Sequence, residues 1–151
     1  MNKTPLLLLL ASIAPAFAQL PDKPTRANGK QQVDALIAAE APYIAKGKAT
    51  YPAAKKRFLA GLPAGQEFSV RRRLVEDGGK TREEVFVYVD AIKGGVVYGE
   101  IASEIRIAHS YHQGQKIKFP ESEVLDWMIR HPDGTEEGNV VGRFIDHYKA
   151  H

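Results

Sequence analysis

The chain has 151 residues, enough for one domain, with 26% charged residues and a formal charge of +3 at pH 7. So small a basic excess does not mark a nucleic-acid binder, whose charge is concentrated on one face. Cysteine is absent, which excludes disulfides, thiolate catalysis and lipid attachment at cysteine, and leaves the core to hold the fold.

Residues 1–18 read as a signal peptide. Lys3 gives a positive start, Leu6–Leu10 open an apolar run, and Ala16-Phe17-Ala18 is a cleavage pattern of small residues around a spacer. The run is shorter than the roughly 20 residues a membrane span needs, and Pro15 stands near its end. Cleavage near Ala18 is therefore expected. It places the mature chain in the periplasm or outside the cell, with no transmembrane segment left. Residues 19–30 hold Pro21, Pro24, Asn28 and Gly29 and read as a flexible leader. Residues 31–151 read as a single domain.

In Gln31–Ala45, Val33, Leu36 and Ile37 have the spacing of one helix face. Pro42 is expected to break or kink this helix, and Lys46-Gly47-Lys48 to end it. Thr50–Leu62 predicts a second helix, with Thr50 as N-cap and Pro52 just inside. Tyr51, Ala54, Phe58 and Leu62 form its apolar stripe, and Gly61 with Pro63 ends it. Lys55, Lys56 and Arg57 cover the opposite side. They read as a solvated face, with binding to an anionic envelope surface as an alternative.

Glu67–Val75 predicts a strand with Phe68, Val70 and Leu74 on one face and Ser69, Arg71 and Arg73 on the other. Arg72 falls on the apolar face, which calls for an acidic partner or a bulge. Asp77-Gly78-Gly79 turns the chain into Glu84–Ile101, the stretch around which the domain is organised. There Val85, Val87 and Val89 point one way, and Phe86, Tyr88 and Ile92 the other, with Asp90 among them. A strand apolar on both faces is expected inside a sheet. Lys93-Gly94-Gly95 makes a tight hairpin turn, and Gly99 marks a bulge or a close backbone approach. The three strands form an antiparallel meander.

Beyond Ile101, alternation of Ile105 and Ile107 predicts an extended segment, and Gln113-Gly114 a turn. Lys116–Phe119 is a short strand stopped by Pro120. Glu121–Arg130 reads as a turn of helix running into a strand. Pro132-Asp133-Gly134 turns, Asn139 is a candidate N-cap, and Val140, Val141, Phe144, Ile145 and Tyr148 follow helical spacing. The fold class is α+β, an antiparallel sheet of about four or five strands packed with one or two N-terminal helices and a C-terminal helix.

A resemblance rests on motifs in a fixed order: Ala54-Lys55, Phe68-x-Val70, Glu84-Val85-Phe86-Val87, Gly95 with Gly99, Gly114-x-x-x-x-Phe119, Asp126-Trp127-Met128 and Gly142. Together they resemble the bacterial YegJ-like family, a domain of unknown function, over Tyr51–Tyr148. Many relatives carry Trp at the position of Phe86 and Asp at that of Gln115. The Glu136-Glu137-Gly138-Asn139 insertion suggests a secreted subgroup. The resemblance implies an α+β fold and no established activity.

Candidate residues divide into three groups. His109 and His112 stand three apart around Ser110 and Tyr111, yet a metal site needs three or four ligands and this segment does not read as a helix. No nucleophile elbow accompanies Ser110, and the Gly-Gly pairs do not lead into helices as phosphate loops do. Trp127, the single tryptophan, reads as core or as an aromatic floor for a ligand. Asp126 beside it reads as a turn cap or as the partner of Arg72. Arg71 and Arg73, with Lys80 or Arg82, form a potential basic stripe that would meet an acidic partner, a phosphate or lipopolysaccharide.

These residues assign no catalytic group, metal or cofactor. They point to a non-enzymatic binding or accessory module. Its partner would be a protein of the cell envelope, met through Arg71, Arg73, His109, Tyr111, His112, Asp126 and Trp127. The alternative is a small hydrolase or metal-dependent enzyme in which His109, His112 and Asp126 converge in one pocket.

Overall fold

A computed structural model describes residues 30–148. The expected signal peptide, the leader up to Gly29 and the last three residues lie outside the described residues.

The two expected N-terminal helices are one. α1 runs without interruption over Lys30–Ala60, with Pro42 and Pro52 inside it. Each proline removes a backbone donor, so propensity alone favours a break. Contacts flanking both prolines outweigh it: Glu40 is buried, Tyr43 stacks on Phe144, and Tyr51 and Ala54 are buried. Thr50 therefore does not cap. Its hydroxyl lies 3.1 Å from the Lys46 carbonyl one turn back, and it accepts the indole N–H of Trp127 at 2.8 Å. Gly61, with φ of 94°, provides the left-handed residue that ends the helix.

Six strands follow: β1 (Glu67–Glu76), β2 (Thr81–Lys93), β3 (Val96–Ile101), β4 (Lys116–Pro120), β5 (Asp126–Arg130) and β6 (Glu136–Gly138). They form one antiparallel sheet in the order β4-β3-β2-β1-β5-β6, closed by helix α2 (Val140–His147). The meander and the α+β class stand as the sequence predicts. The segment that reads as an insertion supplies β6, which pairs with Met128–Arg130. The turn of helix before β5 is a 3-10 turn at Glu121–Glu123.

Register fixes which side chains share a face. Val70 lies opposite Val87 and Trp127, Val87 opposite Ile101, and Val97 opposite Phe119. With Phe68, Leu74, Val85 and Ile129 they form a core face buried to 9% exposure or less. Removing the larger of these side chains from water stabilises by roughly 2 kcal/mol each. Ile92 joins this face, not the side of Phe86 and Tyr88. A bulge between Val89 and Ala91 shifts the alternation, and Ile92 then faces Val97. Gly99, across from the bulge, is the close approach: a side chain there would collide with the Tyr88 carbonyl.

Arg72 on the core face needs no bulge, because the pairing of β1 with β2 is continuous through it. Its guanidinium lies 4.4 Å from the Phe119 ring centroid and pairs with Glu123 at 2.8 Å. The expected Asp126 partnership is replaced by this one.

α1 touches both sides of the sheet. Its second half lies on the core face, where Phe58 stacks on Phe68 at 5.0 Å. Its first half places Glu40 against Arg73, which points to the opposite face. The helix passes the sheet at Gly47, beside the start of β5. A Cβ there would come within 2.7 Å of Asp126 Oδ1 and 2.8 Å of the Leu125 carbonyl. Gly47 is thus a close-approach glycine inside a helix and not a helix stop.

The segment between β3 and β4 forms no strand. Its donors turn to side chains instead of a ladder. The Glu83 carboxylate accepts the N–H groups of Arg106, Ile107 and Ala108 at 2.8–2.9 Å, and Glu76 accepts that of Ser110 at 2.8 Å.

Candidate functional site

The face opposite the core carries the polar chemistry. Arg71 and Arg73 on β1 lie across from Phe86 and Glu84 on β2. Arg73 Nη2 donates to Glu40 Oε1 and to Glu84 Oε1, each at 2.6 Å, and Arg71 Nη1 reaches Glu84 Oε2 at 3.3 Å. Glu40 is 2% exposed and Arg71 8%. The Arg71 guanidinium also lies 4.6 Å from the Phe86 ring centroid. Two cations and two carboxylates are locked together between sheet and helix. Burial, followed by the neighbouring Glu84 charge, pushes the Glu40 carboxyl up to about 7. The expected basic stripe is therefore a neutralised clasp: Arg71 and Arg73 face carboxylates of the same chain.

Asp126 continues this layer at the start of β5. Fully buried, it accepts its own neighbour's N–H from Trp127 and, with Oδ2, the N–H of Val141 at 2.8 Å. Burial raises its pKa, and those two N–H donors oppose the rise. Asp126 thus caps α2 from a different strand. Asn139 occupies the N-cap position with φ of 50° and makes no side-chain cap bond. Gly142 is required beside it, because a side chain would collide with Asn139 and approach Arg71 Nη2 to 2.9 Å. Trp127 is 9% exposed and lies on the core face, its indole N–H bonded to Thr50.

His109, Tyr111 and His112 sit on the pinned segment between β3 and β4. His109 and His112 are exposed and Tyr111 is half-buried against the core. Both Asp126 oxygens are taken by backbone donors, and neither histidine is among its partners. The structure thus puts the histidines on a loop and Asp126 at the α2 N-terminus. Among the described residues, no group of three or more His, Asp or Glu is placed to hold a metal ion.

One further feature was not read from the sequence. Between α1 and α2 lies an open groove of about 630 Å³ lined by Tyr43, Lys46, Val140, Arg143, Phe144, His147 and Tyr148. Phe144 stacks on Tyr43 with centroids 4.2 Å apart and meets Tyr148 at 5.4 Å, giving an aromatic floor. His147 Nδ1 bonds the Arg143 carbonyl at 2.7 Å, which leaves Nε2 as its second polar atom. Lys46 and Arg143 are exposed, and among the described residues neither has an ion-pair partner. Elsewhere Arg57, Arg71, Arg72, Arg73, Arg106 and Arg130 each reach a carboxylate within 3.5 Å. A sequence signal for the groove existed. Arg143 and His147 are four apart on a helix beside Phe144, and Tyr43 and Lys46 are three apart on another.

The basic cluster of α1 behaves differently. Lys55 pairs with Glu121 at 2.6 Å, and Arg57 makes a two-pronged bond to Glu137 at 2.7 and 2.9 Å. That bond, aided by His131, holds Glu137 down at about 2. No helix among the described residues is long and apolar enough to cross a membrane.

No curated protein and no solved structure matched the chain. A family match covers residues 44–148, which takes in the second half of α1, the whole sheet and α2. It thus includes Lys46, Arg71, Asp126 and Arg143, though not Glu40 or Tyr43. With well over half of its length so matched, the chain belongs to the family described as an uncharacterized protein conserved in bacteria (DUF2314).

Proposed function

We propose that the mature chain is a non-enzymatic binding or accessory module, exported to the periplasm or beyond, in the secreted branch of the YegJ-like proteins. Its contact surface is the α1–α2 groove. Export is supported by Lys3, the Leu6–Leu10 run and Ala16-Phe17-Ala18. The branch is supported by the order of short motifs from Ala54-Lys55 to Gly142 and by the Glu136–Asn139 insertion.

The single observation that carries the contact surface is uncompensated charge beside aromatic area. Lys46 and Arg143 lack intramolecular carboxylates, while six other arginines have them, and the same groove presents Tyr43, Phe144 and Tyr148. Aromatic side chains and arginine are the groups most enriched where proteins bind partners. In this reading Arg71 and Arg73 hold the groove's walls in place and do not touch the partner.

The test is capture of a partner from the host's periplasmic extract by Gln19–His151. Lys46→Glu with Arg143→Glu is expected to abolish capture without changing the melting midpoint. Undiminished capture by that folded variant removes the groove from the reading. Capture lost instead on His109→Ala with His112→Ala moves the contact to the loop between β3 and β4.

A further inference from the structure

Resting on the groove reading, we infer that its occupant is an extended acidic polypeptide segment with carboxylates on alternate residues. Arg143 and His147 are four residues apart on α2. At about 1.5 Å of rise per residue their anchoring points lie roughly 6 Å apart along the helix axis. In an extended chain, side chains two residues apart share a face at a spacing of roughly 6.6 Å. The two repeats match closely enough for successive same-face carboxylates to meet Arg143 and protonated His147.

Lys46 stands on the opposite wall, on α1, and adds a cation across the groove. The Tyr43–Phe144–Tyr148 stack offers apolar area to a neighbouring same-face side chain. The cations are thus arranged as a row with a partner across it. A single phosphate would need them converging on one point, as backbone and arginine clusters do around anions. A bilayer surface is flat, and the aromatic floor lies between two helices.

The surrounding acids do not cancel this arrangement. Asp126 acts on Arg143 only through space, while its oxygens hold the Trp127 and Val141 N–H groups. Asp146, exposed on α2, does not line the groove. An acidic segment therefore finds net positive charge there.

The experiment uses a fluorescent synthetic peptide of about ten residues, with Glu at alternate positions and one Phe at the next same-face position. It is titrated with Gln19–His151 by fluorescence anisotropy. The same peptide with Gln for Glu, inorganic phosphate as competitor, and phosphatidylcholine vesicles doped with phosphatidylglycerol run beside it. The Glu peptide is expected to bind, to weaken with added salt, and to lose roughly tenfold on Arg143→Glu and on Lys46→Glu. The Gln peptide is expected to bind at least that much more weakly. Both substitutions are at exposed positions, and unchanged circular dichroism confirms that each variant is folded.

Failure of the Glu peptide to bind, or equal binding of the Gln peptide, overturns the inference. Vesicle or phosphate binding with the same sensitivity to Arg143→Glu also overturns it, while leaving the groove as the contact surface. Glu-peptide binding that ignores both substitutions overturns the groove reading as well.

Discussion

The Arg71–Arg73 clasp and the α1–α2 groove both lie where α1 meets the side of the sheet opposite the core, and both are built from arginine and aromatic rings. They do opposite things with them. In the clasp each guanidinium is met by Glu40 or Glu84, and Phe86 lies 4.6 Å from Arg71. In the groove Lys46 and Arg143 point at no carboxylate of the described chain, and the rings of Tyr43, Phe144 and Tyr148 line open space. Arginine content therefore does not locate a binding surface. The decisive quantity is whether the fold itself supplies the counter-charge.

The comparison breaks first at Arg73. Arg73→Leu removes the shared partner of Glu40 and Glu84 and leaves two carboxylates under α1. A loss of about 3 kcal/mol in urea unfolding is expected, since unpairing a buried charge is costly. A loss below 1 kcal/mol would mean that the clasp is not structural. Next is Gly47→Ala, where alanine is the better helix former by about 1 kcal/mol. The added methyl, however, meets the Leu125 carbonyl and Asp126, and a net destabilisation of about 2 kcal/mol is expected. Stabilisation would refute the close approach.

The clasp also predicts a pH dependence. The Glu40 pKa is raised when folded to about 7 from an ordinary value of 4.5, so the native state binds protons more tightly than the unfolded state. That contribution is fully present below pH 4.5 and is lost as pH rises through about 7. Asp126, also raised, acts in the same direction from a lower starting value. Glu137, held at about 2, works oppositely and only below 4.5. Urea midpoints should therefore fall between pH 5 and 7 by an amount on the order of 1 kcal/mol, and Glu40→Gln should flatten that slope. An unchanged slope in the variant would place the titration elsewhere.

The groove should show the smallest effect on folding. Arg143→Glu is expected to shift stability by no more than about 0.5 kcal/mol, as exposed substitutions do. Arg57→Ala breaks only a half-exposed pair with Glu137 and should cost less than about 1 kcal/mol. If Arg143→Glu instead destabilises as much as Arg73→Leu, the groove is a second clasp.

Much of the fold was legible. Alternation in Glu67–Val75 and Glu84–Ile101, with Gly94-Gly95 between two strands, was enough for the meander, because hairpin pairing is local. The register around Ile92 was not legible, since the bulge at Asp90 leaves no unambiguous mark on alternation. α1 was misread as two helices because Pro42, Gly47 and Pro52 all signal a break locally. The expected contact residues Arg71 and Arg73 looked like a free stripe because their partner Glu40 is more than thirty positions away and on a helix.

The sequence by itself determined the element types, the antiparallel meander and the mostly buried place of Trp127, since side-chain period and turn chemistry act over a few residues. Tertiary structure alone decided which charges are neutralised. It brings Glu40 of α1 onto Arg73 of β1, places Asp126 of β5 at the start of α2, and leaves Lys46 and Arg143 facing each other across a groove. Charge pairing depends on distance in space and on burial, and neither is written in the spacing of residues along the chain.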